Sequence, residues 1–356
     1  MEGTESQLEV TQSLTTVDAN PQPPPPSQPQ LEPQPQLQPQ PQPQPSSIVP
    51  APSGIPAAIA KYSKAHGITS PDVLMHSPFV LHNLNSELAV LEMVDKFCLL
   101  ALNLTTEIYK TYQVKLHSSD LKSLESRESL NDTIVDLLSR CMMQVASASG
   151  ELLNVYIATT TDATMLLHGD WRRSSANARQ RIQTAANEEC FSTGSAGLFL
   201  PVFHSFGHWS QWHLTASGDQ FRTLHQDPME KTCIGRSTSE LNASKLLEGA
   251  FPDVPADSFL PSEHWFAAHQ TTDKTSKDTE DHKSIGSDCG IYMWFYYFLA
   301  TLGKEEELIA TTTTKSENAT AILKPRFLNN HIRPRLHTFV ECIIDAYLIE
   351  WVNHAP

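Results

Sequence analysis

Gly286-Ser287-Asp288-Cys289-Gly290 runs straight into Ile291-Tyr292-Met293-Trp294-Phe295-Tyr296-Tyr297-Phe298-Leu299. Two glycines frame a cysteine, and the run after them is apolar or aromatic on every side. A helix of that composition has no face for water and must lie inside the protein. It begins at Cys289 or next to it. A thiol there faces backbone N–H groups and the positive end of the helix dipole, both of which favour the thiolate. A small buried cysteine also packs well in such a place. The choice turns on what the rest of the chain supplies.

A thiolate nucleophile needs a histidine to share its proton and a polar group to orient the imidazole. Upstream, Leu198-Phe199-Leu200-Pro201-Val202-Phe203 reads as a strand and His204-Ser205-Phe206-Gly207 as a turn. His208-Trp209-Ser210-Gln211-Trp212-His213-Leu214 reads as the returning strand. Phe221 to His225 is a third, ending at Asp227-Pro228 because proline disfavours its continuation. The 19 residues from 208 to 227 suit neighbouring antiparallel strands, which bring an imidazole and a carboxylate to one rim of a sheet. Cys289, 62 residues beyond Asp227, would rise from the helix across the cleft. Among 15 histidines, His204, His213 and His225 compete for the role of base. Asp219 reads as a turn residue and Asp288 as a loop anchor.

Working outward, 356 residues make room for one or two domains. A net charge of −15 argues against a nucleic-acid binder, since phosphate contacts need clustered Lys and Arg. Only Arg172, Arg173, Arg179 and Arg181 group together, and a solvated helix face accounts for them. The start, Met1-Glu2-Gly3-Thr4-Glu5, has no basic and apolar leader, and no apolar run reaches the ~20 residues that span a bilayer. Six cysteines without a CxxC indicate neither a disulfide framework nor a zinc site. The expectation is an intracellular protein, nuclear or cytoplasmic, with no cofactor and no metal.

Residues 1–52 are expected to be a disordered tail, little but Pro and Gln from Pro21 to Pro45. A helical extension over 53–118 comes next: one helix from Pro56 to His66 and a second from about Leu84 to Tyr112. In the second, Leu84, Leu88, Leu91, Val94 and Cys98 mark the buried face. The main domain takes 119–356. Asn131 or Asp132 caps a helix whose inner face is Ile134, Leu137 and Leu138. Val155-Tyr156-Ile157 is a short strand, Ala176 to Ala186 and Ser239 to Ala250 are helices, Thr271 to Lys283 is a polar loop, and Asn330 to Trp351 is the closing helix.

Four ordered motifs resemble the ubiquitin-like-protein proteases, the SUMO and NEDD8 proteases with their adenovirus-protease relatives. They are Leu130-Asn131-Asp132, His208-Trp209, Asp227, and Gly286-Ser287-Asp288-Cys289-Gly290. The similarity covers roughly Leu121 to Trp351. It implies an α+β, papain-like fold, a mixed central sheet flanked by helices with the nucleophile at the N-terminus of a buried helix. It further implies a thiol peptidase cleaving after the C-terminal Gly-Gly of a ubiquitin-like modifier. Cys289 is then the nucleophile, His208 the general base and Asp227 the orienting carboxylate. Trp209 covers a narrow channel for the diglycine tail, and the partners are the modifier and its conjugates. Two positions depart from the family. Ser129 stands where it has Trp, and Lys283 where it has a Gln that donates to the oxyanion. Lys283 can itself donate, or Gln270 can fold back to do so. Other readings of the same residues are a relative that binds a ubiquitin-like protein without cleaving it, and an acyltransferase on the same triad.

Overall fold

The computed structural model describes residues 54–104, 116–117, 119–125, 128–167, 173–185, 195–204, 208–217, 220–228, 258, 260, 263–266, 288–313 and 325–353. The chain divides into Met1–Val49, outside those residues, and a unit running from Pro50 to Pro356. Helices α1 (Gly54–His66), α2 (Pro71–His76) and α3 (Glu87–Asn103) come first, then a 3-10 turn at Asp120–Leu124 and α4 (Asp132–Ser149). Strand β1 (Asn154–Ile157) leads through α5 (Thr160–Leu167) and α6 (Arg173–Ala185) to β2 (Ser195–His204), β3 (His208–Ser217), β4 (Gln220–Asp227) and β5 (Glu263–Phe266). Helices α7 (Cys289–Thr301) and α8 (Glu305–Thr313) come after the sheet. A helical turn at Pro325–Phe327 and a π-helical turn at Leu328–Ile332 then lead into α9 (Arg333–Asn353).

The five strands lie in sequence order. β2, β3 and β4 are antiparallel, while β1 and β5 add to the edges in parallel, so the sheet is mixed as expected. Where β1 meets β2 the register slips beside Gly197, whose φ is +100°. A Cβ at Gly197 would run into the Leu214 carbonyl and His213 Nε2, so this bulge admits only glycine.

All of α7, from Cys289 to Thr301, is buried. Phe199 of β2 packs on Tyr297 (ring centroids 4.8 Å apart), and Phe97 of α3 meets Trp294 and Phe298 edge-on at 5.6 and 5.8 Å. One continuous apolar core therefore joins the sheet, α7, α4 and the N-terminal helices. α1 and α3 both lie against α9, and α3 also lies against α4.

Several boundaries differ from expectation. α3 starts at Glu87, where the Ser86 side chain accepts from the Ala89 N–H, so Leu84 precedes the helix. Leu88 is 81% exposed rather than buried. Six residues before Val94, it points about 120° away from the stripe of Val90, Leu91, Val94 and Cys98. Of the two candidate caps, Asn131 is the one used: its side chain accepts from the Ile134 N–H at 2.9 Å. His204 ends β2 instead of opening a turn. The closing helix starts at Arg333, and the π-helical turn takes the preceding residues. The proposed helix at Ser239–Ala250 and the loop at Thr271–Lys283 lie outside the described residues.

Candidate active site

His208 opens β3 and Asp227 closes β4. Antiparallel pairing sets Gln211 against Gln226, which carries the two ends to the same rim. There His208 Nε2–H donates to Asp227 Oδ1 at 2.8 Å, with both residues buried. Nε2 is thereby committed to the carboxylate, and Nδ1 is the ring nitrogen left to address a nucleophile. Cys289, first residue of α7, lies close enough to this imidazole to act on its charge. Burial disfavours a charge on His208, but the hydrogen bond to Asp227 and the neighbouring Asp227 and Cys289 groups outweigh it and raise its pKa to about 9. His208 therefore holds its proton at neutral pH, the state that stabilises a thiolate beside it.

Trp209 joins the two sides of the cleft. Its backbone N–H donates to Cys289 Sγ at 3.2 Å, and its indole N–H donates to the Leu130 carbonyl at 2.8 Å. The indole is buried, and Phe203, directly across the β2–β3 ladder, packs on it at 4.8 Å while remaining 46% exposed. Leu130 also lies tightly against Gly290: a Cβ there would fall 2.9 Å from Leu130 Cβ and Cγ.

The rival histidines are engaged elsewhere. His204 and His225 both bond the Ser210 hydroxyl, at 2.8 and 3.1 Å. His213 lies between the Glu305 carboxylate (2.8 Å) and the Ala196 carbonyl (2.6 Å). Asp288 is the anchor its position suggested: its carboxylate pairs with Arg333 at 2.9 Å and accepts from Asn329 Nδ2 at 2.5 Å. Sequence reasoning passed over Arg333 and Asn329. Ser129 is half-buried beside Leu130, and Lys283, Gln270 and Asp219 lie outside the described residues. Among the described residues no cluster of His, Cys, Asp or Glu is arranged to hold a metal, and no helix is long and apolar enough to cross a membrane.

The arrangement can make a thiolate, orient the imidazole that shares its proton, and present backbone N–H groups to developing negative charge. No protein-family model matches the chain, and no curated protein does. Among solved structures it is similar to a de-sumoylating protease, at 13% identity and TM-score 0.44, over 67% of this chain and 89% of that one. It is also similar to the C-terminal Ulp1 protease domain solved with Smt3, the yeast ortholog of SUMO. There the identity is 16% and the TM-score 0.41, over 65% and 85% of the two chains. A Xanthomonas XopD mutant is similar at 16% identity and TM-score 0.36, over 58% and 97%. Likenesses at these TM-scores carry no functional weight. The geometry of the site does.

Proposed function

We propose that this chain is a cysteine peptidase of the ubiquitin-like-protease kind, cleaving after the C-terminal Gly-Gly of a SUMO- or NEDD8-type modifier. The observation that carries the reading is the triad itself. Asp227 holds His208 through Nε2, and Cys289 meets that imidazole from the start of a buried helix. The motifs around it, Leu130-Asn131-Asp132, His208-Trp209 and Gly286 to Gly290, support the substrate class.

At neutral pH the Cys289 proton already rests on His208, and the thiolate attacks the carbonyl carbon of the terminal glycine. The carbonyl electrons move to oxygen, where the Cys289 N–H, at the first position of α7, donates to the oxyanion. When the tetrahedral species collapses, the C–N bond breaks and the leaving amine takes the proton from His208. Water then gives a proton to His208 and attacks the thioester, and the modifier leaves as its carboxylic acid, restoring the Cys289 thiolate. By the resemblance, Trp209 covers the narrow passage that admits the modifier's Gly-Gly tail. Glycine fits such a passage because it has no Cβ.

Fluorogenic C-terminal conjugates of SUMO, NEDD8 and ubiquitin test the proposal. Release of fluorophore from one of them, lost in Cys289→Ala and His208→Ala, is the expected result. Release from none by a folded protein that still binds a modifier overturns cleavage in favour of binding alone. Acetyl transfer requiring acetyl-CoA, with no hydrolysis, overturns it in favour of acyl transfer.

A further inference from the structure

Arg333 is among the largest fully buried side chains of the described residues, and the triad makes no use of it. It opens α9, which a π-helical turn introduces. Its Nη1 donates to the carbonyls of Ser123 (3.3 Å), Glu125 (2.9 Å) and Glu128 (3.0 Å), and its Nε donates to Asn329 Oδ1 at 3.1 Å. Its Nη2 donates to Asp288 Oδ1 at 2.9 Å, and both members of that ion pair are buried. Asp288 is the residue immediately before the nucleophile. It makes no side-chain cap bond to α7, so Arg333 and Asn329 hold its carboxylate.

The segment gripped through its carbonyls leads straight to Leu130, whose own carbonyl holds the Trp209 indole. One planar fork therefore fixes the nucleophile turn and the strap beside it, which the single ammonium of a lysine cannot do. In addition, a buried carboxylate next to Cys289 opposes negative charge on Sγ unless a cation neutralises it.

We propose that Arg333 is a positioning residue for the reaction. Through Asp288 it sets the turn that presents Cys289 and cancels the carboxylate charge that would otherwise disfavour the thiolate. This role rests on Cys289 being the nucleophile of the proposed peptidase. Among the described residues, the ionisable groups around Cys289 are His208 of β3, Asp227 behind it on β4, Asp288, Tyr292 in the first turn of α7, and Arg333. Burial and Asp288 keep the Tyr292 hydroxyl neutral across the working range.

The test is the pH–rate profile of Cys289 alkylation by iodoacetamide in the full chain, read by peptide mass spectrometry, with thermal unfolding to confirm that each variant is folded. Asp288→Asn leaves the guanidinium without its counter-charge, and the profile is expected to move down by about one pH unit. Arg333→Gln leaves the carboxylate without its cation, and the profile is expected to move up by about as much. The double variant is expected to return near the wild-type profile. A merely structural role slows both single variants without moving them in opposite directions, and that result overturns the proposal, as does no shift in either. Should Arg333→Gln fail to fold, Asp288→Asn decides alone: a downward shift supports the proposal and an unmoved profile overturns it. Iodoacetamide needs no modifier. Opposed shifts in a chain inactive on every ubiquitin-like substrate would retain Arg333 and discard the substrate reading.

Discussion

The backbone N–H of Trp209 lies 3.2 Å from Sγ of Cys289, although the two residues are 80 positions apart in the chain. That contact locks the first residues of a sheet strand to the first residue of the central helix. The Trp209 indole extends the lock to Leu130. Replacing Trp209 with Phe keeps a ring in place but leaves the Leu130 carbonyl buried without its donor. Such a group costs about 1–3 kcal/mol, and denaturant unfolding of Trp209→Phe is expected to show a loss in that range. Unchanged stability would mean that the indole bond contributes nothing.

Gly290 and Leu130 form the other tight contact at the nucleophile. Gly290→Ala pushes a methyl to within 2.9 Å of Leu130 Cβ and Cγ, overpacking that is expected to destabilise by about 1–3 kcal/mol. Leu130→Ala vacates the space. The double variant is therefore expected to be less destabilised than the sum of the two single variants, a coupling that unfolding measurements on all four proteins would reveal. Strict additivity would contradict the contact.

The His208–Asp227 pair makes stability depend on pH in a set direction. His208 is held at about 9 in the fold against 6.5 in its absence. A group with a raised folded value stabilises fully below the unfolded value and loses that contribution as pH rises through the folded one. The shift corresponds to about 3 kcal/mol. Asp227→Asn removes the counter-charge. The gap in Tm between wild type and Asp227→Asn is expected to be widest at pH 6 and to close towards pH 9.5. A gap that widens with pH would contradict the assignment.

Much of the fold was legible because the decisive residues obey local rules. Ile291 to Leu299 admits only a buried helix, and Asn131 three residues before Ile134 announces a cap. His208 and Asp227 bracket strands whose ends carry them to one rim. The illegible parts depend on tertiary context. β5 is four residues, Glu-His-Trp-Phe, with no alternation to mark it, and exists by pairing with β4. Leu88 looked buried because the spacing was counted from Leu84, which lies outside the helix. Arg333 did leave a signal. It stands in register with Leu336, Val340 and Ile343 on the buried face of α9, where a charge must find a partner. The partner is Asp288, 45 residues back in the chain, and no local pattern names it.

The most direct measurement of the central claim is intact-mass analysis of the purified chain after exposure to SUMO, NEDD8 and ubiquitin carrying C-terminal electrophiles. The account predicts a single covalent adduct with one modifier, mapped to Cys289 and abolished by Cys289→Ala. A folded protein that forms no adduct with any of the three, or forms one that survives Cys289→Ala, would contradict it.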